Sequence, residues 1–222
     1  MRKTVYMIIF CLAGVILNIA FNKIFTAGGM WFLPLYLDTI FTVTVTLLGG
    51  IFWGALTGAL TNIIGHSINF WGWEGYLFAI CNITTAFITW GFIKIFPQEL
   101  NLIRENSENQ KSLILYGRIS KIITLTLLSF TLCLAMSLLG GLISTFIQII
   151  SSPPADELQL KALLGSTMFP QMHIVFIEIL SRIPVNIIDR LIAAFGGYYI
   201  AHAISLLGKK LNYPLQKKLK CD

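Results

Sequence analysis

Long stretches without a charged residue constrain this 222-residue sequence more than any motif does. No Asp, Glu, Lys or Arg occurs from Thr39 to Trp73, and none occurs from Thr4 to Asn22. Only 12% of all residues are charged, whereas a soluble domain carries about 25%. Because water cannot cover so much apolar surface, the sequence predicts an all-α, polytopic helical bundle embedded in a lipid bilayer.

Breaks in the apolar pattern divide the chain into about six predicted transmembrane spans. Together they form one integral membrane domain that covers residues 1–222. Spans two and three are short for a full crossing, so we expect them to be tilted or flanked by buried loops. The stripe Gly50, Gly54 and Gly58 is predicted to allow close packing of span three. The spans cover residues 4–25, 38–48, 51–66, 75–96, 113–150 and 172–207.

Two of these spans are longer than one crossing requires. Residues 113–150 fit only if Gly140-Gly141 kinks the helix or its end extends beyond the lipid. A break before Pro184 would solve the same problem for residues 172–207. Between spans four and five, residues 98–111 are polar and mixed in charge, so we expect them to be exposed to water.

The distribution of positive charge predicts a multi-pass protein of the cell (plasma or inner) membrane with both termini in the cytoplasm. On this orientation Lys23 and Lys161 lie outside, and Arg182 and Arg190 lie within the last span. Basic residues at helix ends and in the tail suit anionic headgroups better than nucleic acid. The cytoplasmic residues are Arg2, Lys3, Lys94, Arg104, Lys111, Arg118, Lys121, Lys209, Lys210, Lys217, Lys218 and Lys220.

Ionisable residues inside a span are energetically expensive and therefore indicate a partner or a function. In the last span Glu178, Arg182 and Asn186 follow each other at four-residue spacing, and Asp189 continues this face toward the bundle interior. Two interpretations stay open: an ion pair that only locks helices together, and a charged stripe that faces a ligand pocket. Asp189 and Arg190 are expected to lie deeper and to serve structure.

A second group of polar and aromatic residues lies at the predicted outer mouth of the bundle. The tryptophans either anchor the membrane interface or stack on a flat ligand ring. His66 and Asn82 serve either the structure or the ligand, whereas Asp38 suits the positive end of a helix dipole. The candidate ligand-binding residues are Trp31, His66, Trp71, Trp73, Glu74, Asn82, Glu178, Arg182 and Asn186.

Motifs of catalysis and metal binding are missing from the sequence. It contains no Walker motif, no nucleophile elbow, no HExxH and no CxxC, so we predict no catalytic residues, no metal site and no cofactor. An intramembrane enzyme would need an acid–base pair such as His66 with Glu178. Cys11, Cys81 and Cys133 lie in apolar stretches, where thiols behave as small hydrophobic groups.

Three segments carry a resemblance to a known family. They are Leu37-Asp38-Thr39-Ile40, the glycine-spaced stretch at residues 48–58, and the Pro-Val-Asn-Ile-Ile-Asp-Arg run at residues 184–190. With six short-looped spans, they resemble the substrate-binding S components of energy-coupling-factor (ECF) vitamin transporters and related membrane sensor modules. Many S components carry Ala-x-x-x-Ala in span one for docking, and here we expect Gly14 and Asn18 to provide that face.

This resemblance implies a subunit that binds a vitamin-like or related organic solute near the extracellular face, between the outer loops and spans four to six. The subunit would then carry the solute inward by toppling in the membrane. It implies a transmembrane coupling subunit and two cytoplasmic ATPases as partners. ATP hydrolysis is expected only in these partner subunits. The alternative is a ligand-sensing or scaffolding membrane module without transport activity.

Overall fold

The structure is a computed structural model that describes residues 2–27, 35–69, 73–102, 111–150 and 174–210. All regular secondary structure in this part of the chain is helical, which confirms the predicted all-α fold. A 3₁₀ helix at Trp73–Phe78 precedes α4. The α-helices are α1 (Arg2–Ala27), α2 (Ile40–Gly49), α3 (Ile51–Asn69), α4 (Ala79–Ile95), α5 (Lys111–Ile150) and α6 (Ile174–Lys210).

Within the described residues, four apolar segments are long enough to cross a membrane, as expected of a helical membrane protein. They are Thr4–Phe25, Trp73–Ile95, Tyr116–Ile150 and Val175–Lys209. By contrast, α2 has 10 residues and is about 15 Å long, half of the roughly 30 Å hydrocarbon core. Because α2 is too short to cross by itself, the number of crossings stays a prediction, as do the cytoplasmic termini.

The short helix α2 lies at the centre of the bundle, in contact with α1, α3, α4 and α6. Its threonines are tolerated there because their hydroxyls bond to their own helix. The Thr46 hydroxyl donates to the Thr42 carbonyl at 2.7 Å, and the Thr44 hydroxyl donates to the Ile40 carbonyl at 3.0 Å. A helix buried on all sides therefore keeps its side-chain hydrogen bonds satisfied.

Glycines bring α3 close to α2 and α4, as the small-residue stripe predicted. A Cβ at Gly54 would lie 1.9 Å from Thr46 Oγ1, and one at Gly58 would lie 2.8 Å from the Asn82 carbonyl oxygen. Gly50 has a different role, because its φ of 87° belongs to the turn between α2 and α3 and nothing lies within 4 Å of its Cβ position. The close-packing prediction is confirmed for Gly54 and Gly58 and is wrong for Gly50.

The two longest helices, α5 and α6, continue through the points at which we expected interruptions. α5 is helical through Gly140-Gly141, and α6 is helical through Pro184. Contacts between the two run along most of their lengths, and this packing supports α6 where Pro184 removes a backbone hydrogen bond. The predicted break before Pro184 is therefore wrong. With 40 residues, α5 is about 60 Å long and exceeds the thickness of the hydrocarbon core.

The connection that follows α4 folds into the bundle instead of into water. Leu100 and Leu102 are 1% and 0% exposed and join the core around α2. The Tyr198 hydroxyl donates to the Asn101 carbonyl at 3.4 Å, and His202 Nδ1 lies 2.7 Å from the Leu102 carbonyl oxygen. The prediction of a water-exposed connection is wrong for Leu100 and Leu102, because these apolar residues alternate with polar ones, of which Gln98 and Asn101 are exposed and Glu99 is partly buried. Residues 103–110 lie outside the described part.

The predicted docking face of α1 is turned into the chain's own bundle. A Cβ at Gly14 would lie 3.2 Å from the Thr57 side chain, and Asn18 is fully buried. The opposite face of α1 exposes apolar side chains such as Ile9 and Ile16. Gly14 and Asn18 thus form a close-packing face, but the expectation that this face is available to a coupling subunit is wrong.

Candidate functional site

The polar stripe of α6 lies against α5, as its four-residue spacing predicted. Each of the three stripe residues forms a hydrogen-bonded pair with a side chain of α5: Gln148 donates to Glu178 at 2.6 Å, Arg182 donates to Ser144, and Asn186 donates to Ser137 at 2.9 Å. We call these six residues the α5–α6 seam. The seam satisfies most of the polar stripe from within the protein, so the helix-locking interpretation accounts for part of it.

Arg182 keeps more exposure than the other two stripe residues. It is 24% exposed, whereas Glu178 is 1% exposed and Asn186 is 7% exposed. Its Nε atom lies 3.9 Å from Glu178 Oε2, a long separation for an ion pair, and its guanidinium carbon lies 5.6 Å from the centre of the Phe78 ring. Gly140 leaves room for this side chain, because a Cβ there would lie 3.3 Å from Nη1. The ion pair with Glu178 is therefore long, and the Arg182 side chain as a whole keeps part of its surface exposed.

The 3₁₀ helix connects the seam to the second group of predicted residues. Its Phe78 contacts Arg182, while its Gly75 lies so close to His66 that a Cβ would be 2.2 Å from the imidazole Nδ1 atom. Tyr76 and Ser67 share a hydrogen bond of 3.1 Å between their hydroxyls. His66 and Arg182 thus flank the same short element from two sides.

The remaining residues predicted at the outer mouth fall into two classes. Trp73 is 51% exposed and Glu74 is partly buried, and both belong to the 3₁₀ helix. Trp31 and Trp71 lie outside the described residues, so their predicted role in ligand binding stays a prediction.

Asn82 belongs to a different part of the bundle. It is 2% exposed, and its Nδ2 atom donates to Asp38 Oδ2 at 3.1 Å. Asp38 in turn precedes α2 in the non-helical segment at residues 35–39. Asn82 therefore helps to anchor α2. Asp38 is stabilised by this side-chain hydrogen bond in addition to the helix dipole.

The start of α2 is fastened to α6 by a second charged pair. Asp189 Oδ1 accepts a hydrogen bond from the Leu37 backbone N–H at 2.9 Å, and its Oδ2 atom lies 3.1 Å from Arg190 Nη2. Arg190 also donates to the Thr39 hydroxyl. As predicted, Asp189 and Arg190 serve structure. We call the group formed by Leu37, Asp38, Thr39, Asn82, Asp189 and Arg190 the α2 hub.

A third helix completes the anchoring of α2. Asn18 of α1 accepts a hydrogen bond from the Phe41 backbone N–H at 3.0 Å and donates to the Thr42 hydroxyl at 3.2 Å. Leu37 adopts a φ of 44°, which a non-glycine residue rarely adopts. Non-helical backbone at membrane depth needs polar partners from the protein. Here the hub and Asn18 supply these partners.

Several residues of the seam were missed by the sequence reasoning, although a signal was present. Ser137, Ser144 and Gln148 are separated by seven and four residues, which places them on one face of a helix. Gly141 lies on the same face, and a Cβ there would lie 3.0 Å from the Ile179 Cα atom. The polar and small residues of this face match the polar stripe of α6.

Comparisons of this chain with models of protein families, with curated proteins and with solved structures gave no match. What the seam could bind therefore follows from the chemistry of its own side chains. Arg182 lies beside the Phe78 ring and donates to the Ser144 hydroxyl, and the neighbouring Glu178 carboxylate accepts from the Gln148 amide. Such a set can bind a molecule that carries both charged and apolar groups.

Proposed function

We propose that this chain binds a small organic solute beside Arg182 and acts as the membrane subunit of an uptake transporter of the ECF type. The observation that carries the proposal is the partly exposed side chain of Arg182 within an apolar helix that is long enough to cross a membrane. Its partners in the described part of the chain are side chains, namely Ser144, Glu178 and Phe78. A solute can replace such partners without disturbing the backbone.

The residues around Arg182 favour a zwitterionic or carboxylate-bearing solute. An arginine binds a carboxylate through two parallel hydrogen bonds, which gives both affinity and orientation. Glu178 is placed to attract a positive group of the same solute, and Phe78 offers an apolar surface for its body. In this proposal His66, Trp73 and Glu74 contribute from the 3₁₀ end of the bundle, with Trp31 and Trp71 from the neighbouring loops.

The transport part of the proposal rests on the resemblance to S components. In this scheme the solute is captured near the extracellular face of the cell membrane. A separate module, consisting of a coupling subunit and two ATPases, then drives its delivery into the cytoplasm. The buried position of Gly14 and Asn18 means that the coupling subunit would dock on another surface.

The same inward-facing position of Gly14 and Asn18 favours the second candidate, a ligand-sensing or scaffolding membrane module without transport activity. Such a module needs the solute site but no docking face for a coupling subunit. The two candidates share the chemistry at Arg182 and differ in their protein partners.

Native mass spectrometry of the gently purified full-length protein tests both candidates in one experiment. We expect a bound small organic molecule, together with a coupling subunit and ATPases. Replacing Arg182 with Ala should weaken solute binding by about 2–5 kcal/mol, as expected for the loss of a buried charged contact. Ser181→Ala is a matched control, because the Ser181 hydroxyl bonds only to the Glu178 backbone carbonyl in the described structure.

Three outcomes would change the conclusion. Equal solute affinity in wild type and in Arg182→Ala would remove Arg182 from the site. Recovery of the protein with a histidine kinase, and never with ATPases, would favour the sensory module. Absence of any bound solute, combined with no thermal stabilisation by a panel of water-soluble vitamins and amino acids, would contradict both candidates.

A further inference from the structure

At the end of the bundle opposite the 3₁₀ helix, a cleft opens between the end of α4 and the first turns of α5. Its volume is about 170 Å³. Phe96 and Glu99 form one wall, and α5 forms the other. The α5 residues that line it are Tyr116, Ile119, Ser120, Ile123, Thr124 and Leu127.

The cleft lies where two membrane-crossing segments reach a common boundary. One apolar segment ends at Ile95, and the next begins at Tyr116. From Tyr116 to Leu127 the cleft follows α5 for about 16 Å, which matches one leaflet of a roughly 30 Å hydrocarbon core. Its long axis therefore runs from the headgroup region into the region of the acyl chains.

Beyond the boundary end, the walls of the cleft are apolar except for Thr124. Ile119, Ile123 and Leu127 are 48%, 54% and 48% exposed and offer branched side chains to an alkyl chain. Glu99 is the charged residue of the lining. The Ser120 hydroxyl donates to Glu99 Oε1 at 3.2 Å, which orients the carboxylate and, as far as the described side chains go, leaves Oε2 to accept from a cationic headgroup.

From this arrangement we infer a binding site for a phospholipid whose headgroup ends in a primary ammonium group. The ammonium donates to Glu99 at the membrane boundary, and one acyl chain fills the cleft along α5. A primary ammonium donates hydrogen bonds, whereas a quaternary ammonium has no N–H to donate. The site is independent of the proposed solute site, which lies at the other end of α5.

Native mass spectrometry with defined lipids tests this inference. The full-length protein is exposed to equal amounts of phosphatidylethanolamine, phosphatidylcholine and phosphatidylglycerol with identical acyl chains. We expect phosphatidylethanolamine to be retained on the order of fivefold better than the other two, the size of a partly exposed charge contact. Glu99→Gln should abolish this preference.

A matched pair of variants tests the location of the bound lipid. Ile123→Trp fills the cleft and should reduce retention of all three lipids about tenfold, whereas Ile122→Trp should bind them as the wild type does. Ile122 is 51% exposed on the same helix but does not line the cleft. Equal lipid retention by these two variants would overturn the site. A phosphatidylethanolamine preference that survives Glu99→Gln would overturn the assignment of the headgroup.

Discussion

Helix α6 carries two ion pairs that differ in how the protein uses them. In the α5–α6 seam, Arg182 Nε lies 3.9 Å from Glu178 Oε2 and the arginine is 24% exposed. In the α2 hub, Arg190 Nη2 lies 3.1 Å from Asp189 Oδ2, and these side chains are 7% and 0% exposed. The same helix thus holds one loose, partly accessible pair and one tight, buried pair.

The partners of each pair explain this difference. Asp189 accepts a backbone N–H from Leu37, and Arg190 donates to Thr39 in the same non-helical segment. These contacts hold the start of α2 in place, so a ligand cannot take them over without releasing the backbone. The hydrogen-bond, ion-pair and ring partners of Arg182 in the described part of the protein are side chains. The hub therefore serves the fold, and the seam is the better candidate for binding.

The largest effect is expected for Asp189→Asn. This change keeps the shape of the side chain but leaves the buried Arg190 without its counter-charge. Breaking a buried ion pair in this way costs about 3–5 kcal/mol. Thermal unfolding of the purified protein in detergent, followed by tryptophan fluorescence, measures the loss.

Glu178→Gln provides the corresponding change in the seam. Because Arg182 is 24% exposed and its Nε atom lies 3.9 Å from Glu178 Oε2, we expect a loss of only about 1 kcal/mol, with Gln148 still able to bond to the new amide oxygen. If both variants lost the same free energy of unfolding, the distinction between a structural hub and an adaptable seam would be wrong.

An effect between those of Asp189→Asn and Glu178→Gln is expected for Gly58→Ala, which tests the packing around Asn82 of the hub. The new methyl group would lie 2.8 Å from the Asn82 carbonyl oxygen, so α3 and α4 must separate and Asn82 must move relative to Asp38. Overpacking of this kind costs about 1–3 kcal/mol. The same unfolding assay measures it.

Gly91→Ala is the matched control for Gly58→Ala. Gly91 lies in α4, and nothing comes within 4 Å of its Cβ position. Alanine favours a helix over glycine by up to about 1 kcal/mol, so this variant should be as stable as the wild type or slightly more stable. Equal destabilisation by both substitutions would contradict the close approach of α3 to α4.

The smallest effect is expected for Gly140→Ala in the seam. The new methyl group meets the flexible end of Arg182 at 3.3 Å, and the side chain can move aside. The free energy of unfolding should change by no more than about 0.5 kcal/mol. Gly141→Ala is the contrasting neighbour, because its methyl group would lie 3.0 Å from the Ile179 backbone and should cost about 1–3 kcal/mol.

The seam and the hub also differ in how far the sequence predicts them. The four-residue spacing of Glu178, Arg182 and Asn186 predicts one helix face, and that face does meet α5. Periodicity within a single helix is enough for this inference. Predicting the partner residues Ser144 and Gln148 would have required a comparison of this stripe with the polar face of α5.

The hub was not predictable in this way. The contact between Leu37 and Asp189 joins residues that are 152 positions apart, and no local pattern encodes such a pairing. The burial of Leu100 and Leu102 was not predictable from local sequence either. Their polar neighbours made the segment resemble an exposed loop. Local sequence patterns thus predicted the helices and their polar faces, whereas tertiary contacts decided which polar groups anchor the fold.

The account depends most directly on water reaching position 182 while the interior of the seam stays dry. Arg182→Cys and Asn186→Cys, each in a Cys221→Ser background, can be labelled in intact cells with a membrane-impermeant thiol reagent. The account predicts rapid labelling at position 182 from the outside and little labelling at position 186, where the native side chain is 7% exposed. No labelling at position 182, in either intact cells or inverted vesicles, would show a closed helix–helix contact and contradict solute binding there.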